Sequence, residues 1–121
     1  MINQNNDRPI DDTMGPPPGG STISNKAIIV QQPVSGSAKV GATHTFSVSV
    51  ARTSPSSVFQ WQVRDWKTGT SWQNTSVTSA QYSISPVSLI HATLEWQVIV
   101  SIPGVANSAV TSNAVRLQVT Q

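Results

Sequence analysis

Residues 58–63 read VFQWQV, with Phe59, Trp61 and Val63 at every second position and a glutamine on each side of the tryptophan. Successive side chains of a β-strand point to opposite faces, so this period predicts a strand with one dry face and one wet face. The apolar trio turns inward, while Gln60 and Gln62 face water. The rest of the chain decides what an indole does at the centre of that dry face.

The same period recurs along the sequence. HTFSVSVA puts Phe46, Val48 and Val50 on one face, and AQYSISPV does so for Tyr82 and Ile84. TLEWQVIVSI turns Leu94, Trp96, Val98 and Val100 inward, and AVRLQVTQ does the same for Val115, Leu117 and Val119. Shorter pieces stand at AIIVQQP, stopped by Pro33, at SAKVG and at TSWQNT, and Ile28, Val30 and Val40 are expected to join the inward set. Turn signals such as TSPSS separate these pieces, and no window keeps an apolar stripe at helical spacing for three turns. Short strands at short intervals predict an all-β antiparallel sandwich.

Composition removes several function classes. A chain of 121 residues has room for one domain. It has no cysteine, which excludes disulfides, thiolate chemistry and Cys-ligated metals. No run of 18 apolar residues exists, so no membrane insertion is expected. MINQNNDRPIDD lacks the apolar stretch of a secretion signal, which leaves two readings: the chain folds where it is made, or a leader has been removed. A net charge of +2 is too small to call for a nucleic-acid partner. Catalysis needs positioned acids, bases or nucleophiles. Of five carboxylates, Asp7, Asp11 and Asp12 lie near the N-terminus, and Asp65 and Glu95 fall on different strands. His44 and His91 are far apart in sequence and lack clustered carboxylates, so neither a catalytic residue nor a metal ligand set is assigned, and no cofactor is expected.

Charge and composition divide the chain in two. Residues 1–25 carry Asp7, Asp11 and Asp12 against Arg8, a local −2, and the remainder carries +4. MGPPPGGSTISN sets three prolines between glycines and offers almost nothing to bury. Residues 1–26 therefore read as an extended arm and residues 27–121 as the sandwich. Such an arm could lie in a groove or add a strand to a neighbour's sheet. Its assembly-binding candidates are Arg8, Pro9, Ile10, Asp11, Asp12, Met14, Pro16, Pro17 and Pro18.

The succession FQWQV, GTSWQN, AQYSI, EWQVIVS and TSNAVRLQV resembles an immunoglobulin-like domain, and is similar in particular to the cysteine-free bacterial and bacteriophage type found on virion proteins. The likeness covers residues 27–121 and omits the arm. It implies that Trp61 is the strand C tryptophan packed between two sheets, and that Val48 and Val98 stand where disulfide-bonded members carry cysteines. Trp72 matches the pattern as well. Trp96 takes the slot of the tyrosine corner, a departure, because an indole N–H donates a hydrogen bond but cannot accept one. SLIHATLEW also lacks the aspartate usual in the E–F turn.

The outward face of strands C, F and G should then show Gln60, Gln62, Arg64 and Trp66 beside Glu95, Gln97, Ile99, Arg116 and Gln118. The first four form a possible surface-binding patch, since Trp and Arg are favoured interface anchors; the plainer reading is an ordinary wet sheet face. Trp66 and Trp72, symmetric about Gly69, could also face each other across a hairpin. The resemblance implies a non-enzymatic phage structural protein, a capsid decoration (cement) protein made in the host cytoplasm and displayed on the virion surface. Its partner would be the major capsid protein or another virion protein, with a homo-oligomer on the particle as a further option. The alternatives are a tail accessory protein or an adhesive module that binds host-surface glycans.

Overall fold

The computed structural model describes residues 26–121. All the arm candidates, Arg8 to Pro18, lie outside the described residues. Within them the elements are β1 (Ile29–Gln31), β2 (Gly36–Lys39), β3 (His44–Ser47), β4 (Ser49–Val50), β5 (Val58–Asp65), β6 (Gln73–Asn74), β7 (Gln81–Ile84), a 3₁₀ turn (Leu89–Thr93), β8 (Leu94–Ser101), β9 (Val110–Thr111) and β10 (Val115–Thr120). Among the described residues, no helix is long and apolar enough to cross a membrane.

The strands form two layers. One sheet runs β2-β10-β8-β5-β6, with β9 pairing β8. Opposite it, β3 pairs β7 and β4 pairs β1. β3 and β4 are separated only by Val48, whose N–H bonds Ala80 O at 3.0 Å, so they continue one strand. Every pairing is antiparallel except one: β2 runs parallel to β10, from Gly36 opposite Leu117 to Lys39 opposite Thr120. The N-terminal strand thus pairs with one layer through β1 and crosses to the other through β2.

The alternation in the sequence sets the core. Phe46, Val48, Trp61, Ile84, Trp96, Val98, Val100, Val115 and Leu117 are buried. An aromatic column runs through it, with ring centres 5.2 Å apart for Phe46 and Trp96, 6.2 Å for Trp96 and Tyr82, and 5.7 Å for Tyr82 and Trp61. Tilted pairs at these spacings match the quadrupoles of the rings. Trp61 is 0% exposed, sits opposite Val98, and donates its indole N–H to Ser79 O at 2.8 Å. Residues 75–80 cross from one layer to the other beside it, since Trp61 N–H also bonds Val77 O and Thr75 N–H bonds Trp61 O.

Three inward placements fail at the sheet margins. Ile28, Val30 and Val40 are exposed, Val30 at 68%, whereas Ala27 is buried and Ile29 half-buried. The apolar run AIIV contains no polar residue to set its phase, and the register of β1 on β4 is irregular between Ile29 and Gln31. The inward phase is therefore one residue away from the one predicted.

Two local devices make sharp predictions. Ser112 is buried where the chain leaves β9, and its Oγ accepts the Val98 N–H and donates to Asn113 O, both at 2.9 Å. Ser112→Ala should leave the Val98 amide buried without a partner and cost about 1–3 kcal/mol in urea unfolding. Gly36 lies against His44, whose ring meets Phe46 edge-on at 4.8 Å. A Cβ at position 36 would stand 2.8 Å from His44 Nε2. Gly36→Ala should cost about 1–3 kcal/mol through overpacking, and a smaller amount in a His44→Ala background.

Candidate functional site

The outward face of β5, β8 and β10 carries the polar side chains that alternation predicts, and strand register places them in two rows. In the first, Gln62 stands opposite both Asn74 and Gln97. Gln62 Nε2 donates to Asn74 Oδ1, and Gln97 Nε2 donates to Gln62 Oε1, both at 2.8 Å. Gln60, one pleat away, donates its amide to Trp61 O at 2.9 Å and Thr75 O at 2.8 Å.

In the second row, Arg64 and Arg116 both lie opposite Glu95. Arg64 Nε donates to Glu95 Oε2 at 2.5 Å, and Arg116 Nε stands 3.5 Å from Oε1. Glu95 is only 4% exposed. The wet face expected there is instead a carboxylate enclosed between two guanidinium groups. Burial of a charge is costly unless it is paired, and here both oxygens face cations.

Each arginine also lies on an indole. Arg64 is 4.6 Å from the Trp72 ring centre, and Arg116 is 4.1 Å from that of Trp66, with Lys67 at 5.7 Å from the same ring. Guanidinium over an aromatic face is attractive through the ring quadrupole. Trp66 and Trp72 therefore do not form the expected pair about Gly69. The pairing of Val63 with Gln73 fixes the reason, since one step further along places Trp72 opposite Arg64. Trp66 lies in the turn beyond β5, where its indole N–H bonds Ala92 O at 3.1 Å and its backbone N–H bonds Thr93 O at 3.1 Å. That turn is closed by Asp65, whose Oδ1 accepts the Lys67 and Thr68 N–H groups at 2.9 and 3.1 Å, and Gly69 supplies a positive φ of 69°.

The structure thus gathers Gln60, Gln62, Arg64 and Trp66 on one face and engages each internally. Arg116 is the looser member: its side chain is 54% exposed, and no described residue other than Glu95 and Trp66 engages its guanidinium. Sequence reasoning put Glu95 and Arg116 on this face but missed their ion pair, because partners 21 residues apart are revealed only by register.

Trp61, Val48 and Val98 lie in the buried core. Trp96 is also buried, but its indole Nε1 has no hydrogen-bond partner among the described residues, so the corner bond that a tyrosine hydroxyl makes is absent here. His91 Nδ1 instead accepts the Ser88 N–H at 2.9 Å and tightens the turn that leads into β8. Among the described residues, no three His, Asp or Glu side chains gather as a metal site.

No protein-family model matches the chain, and no curated protein matches it. Solved structures do. The N-terminal Ig1-2 module of the Drosophila receptor protein tyrosine phosphatase DLAR aligns with a TM-score of 0.61 at 15% identity, over 88% of this chain and 53% of that one. Rst D1-D2 aligns at 0.57 and 24% identity, over 78% of this chain and 49% of that one. The titin M3 domain aligns at 0.58 and 13% identity, over 79% and 98%. The chain spans about half of the DLAR and Rst fragments and nearly the whole of the titin domain. At such identities the likeness is one of fold: the described residues form an immunoglobulin-like β-sandwich.

Proposed function

We propose that this protein is a non-enzymatic structural component of a bacteriophage particle, a capsid decoration protein whose arm of residues 1–26 attaches to the shell and whose sandwich projects outward. Immunoglobulin-like domains are in general binding or structural modules, which fits this class. The observation that carries the reading is how self-contained the sandwich is. Val48 and Val98 fill the core without any cysteine, so folding needs no oxidising compartment. On the outward face the amides of Gln60 and Gln62 and the indole N–H of Trp66 are spent on internal partners. A neutral glycan would have to displace those bonds, so this patch does not favour the adhesive alternative. Attachment then falls to the proline-punctuated arm, and many copies on a symmetric shell would let each contact be weak.

Deletion of residues 2–20 tests the reading. Occupancy on purified particles should fall to background while the domain still folds. Binding at the level of the intact chain would reject the arm as the anchor, and loss from tails rather than heads would move the attachment site to the tail.

A further inference from the structure

The cationic row has more positive charge than it uses. Arg64, Lys67 and Arg116, half of the six Lys and Arg among the described residues, meet on one face. Glu95 is shared between the two arginines, and Asp65 is turned onto the backbone of its own turn. The half-exposed Arg116 guanidinium therefore remains able to take a carboxylate. Arg116 forms part of the wall of a shallow hollow whose other lining residues are Trp66, Ala92, Leu117, Gln118 and Val119. The surface thus asks for a carboxylate next to an aliphatic side chain.

The chain itself contains such a segment outside the described residues: Ile10, Asp11 and Asp12, in a stretch of net charge −2 facing a domain of net charge +4. Reach permits a contact within one molecule. Ala27 N–H bonds Ser108 O, and Ser108 bonds Ile102, so the domain begins at the Ser101 end of β8. Glu95 lies at the other end, about 20 Å away at the usual rise per strand residue. Fourteen residue steps separate Asp12 from Lys26, an extended span of about 45 Å. A tether of that length gives an effective concentration in the millimolar range, which makes a weak ion pair sufficient.

We propose that in the free chain residues 7–12 fold back onto their own domain, with Asp11 and Asp12 against Arg116 and Lys67 and Ile10 in the Trp66 hollow. The contact would store the acidic segment until a stronger partner displaces it. The inference goes beyond the decoration reading and is tested on the free protein, so its failure leaves particle attachment untouched.

Because the chain has no cysteine, Thr13→Cys gives one attachment point for a nitroxide label on the full-length, ¹⁵N-labelled protein. At about 0.01 M ionic strength, where charges act over about 30 Å, the Trp66 indole signal should lose most of its intensity. The amides of Gln81 and Ser83, on the opposite layer, should keep theirs. At about 1 M salt the loss should vanish, because the screening length drops to about 3 Å. It should also vanish in Arg116→Gln/Lys67→Gln, with an unchanged Trp61 indole signal reporting an intact fold. Full Trp66 intensity at low salt, or broadening that persists at high salt, would overturn the proposal. Broadening that also arises when spin-labelled ¹⁴N chain is mixed with unlabelled ¹⁵N chain would overturn it too, since the segment would then dock onto a second copy.

Discussion

Trp61→Ala is expected to remove about 3–5 kcal/mol of stability, the largest single loss available in this domain. The indole is fully enclosed, reaches across the gap between the layers to Tyr82, lies beside Val98 of the adjacent strand, and ties residues 75–80 to β5 through Ser79. Domains of this size hold only about 5–15 kcal/mol in total, so much of the folded population is at risk. Trp61→Phe keeps an aromatic core but leaves Ser79 O without its donor, and should cost about 1–3 kcal/mol. Trp96→Phe forfeits no hydrogen bond to the described residues, because that indole N–H has no partner among them, and should cost less than Trp61→Phe. Urea titrations followed by circular dichroism would check the order. A Trp61→Ala variant within about 1 kcal/mol of the parent would contradict the packing described.

Glu95→Ala should give the second large effect, through charge rather than volume. It leaves Arg64 and Arg116 flanking an uncharged site on the middle strand of the sheet. Breaking a buried pair costs about 3–5 kcal/mol, and an exposed pair is worth about 0–1 kcal/mol. The carboxylate here is enclosed, but its arginines are 35% and 54% exposed, so about 2 kcal/mol is the expected loss. The same change in an Arg64→Met background should cost less, because one of the stranded cations is gone. A double-mutant cycle reads that difference, and strict additivity would show that Glu95 and Arg64 do not interact.

The sequence revealed strand faces better than strand neighbours. Along β5 and β8, polar residues at alternate positions fix the phase without ambiguity, and Phe59, Trp61 and Val63 duly face the same side as Trp96, Val98 and Val100. The run AIIV offered no such contrast, which is why Ile28 and Val30 were placed on the wrong side. Lateral order is harder still. The parallel pairing of β2 with β10 joins residues about 80 positions apart, and nothing in SAKVG indicates it. The ion pair of Glu95 has the same origin. Alternation puts it on the outer face, but its enclosure depends on which side chains the strands on either side bring alongside. Trp72 shows the effect most simply, since a displacement of the hairpin centre turns it from a partner of Trp66 into a platform for Arg64.

These placements also alter what the outer face can do. Gln60, Gln62, Arg64 and Trp66 read as a candidate binding patch because Trp and Arg are favoured interface anchors and long amides can join them. In the fold they bind one another's neighbours and brace the sheet, leaving Arg116 and Lys67 as its remaining charge. The face is thus poor in spare hydrogen-bond donors and rich in cations, a combination suited to carboxylates.

Hydrogen exchange at the four indole N–H groups tests the two-layer packing around Trp61 most directly. The Trp61 proton, held by Ser79 inside the core, should exchange only through global unfolding, with a protection that falls in step with stability as urea is added. A Trp61 indole that exchanges within seconds under native conditions would contradict the fold from which every other conclusion is built.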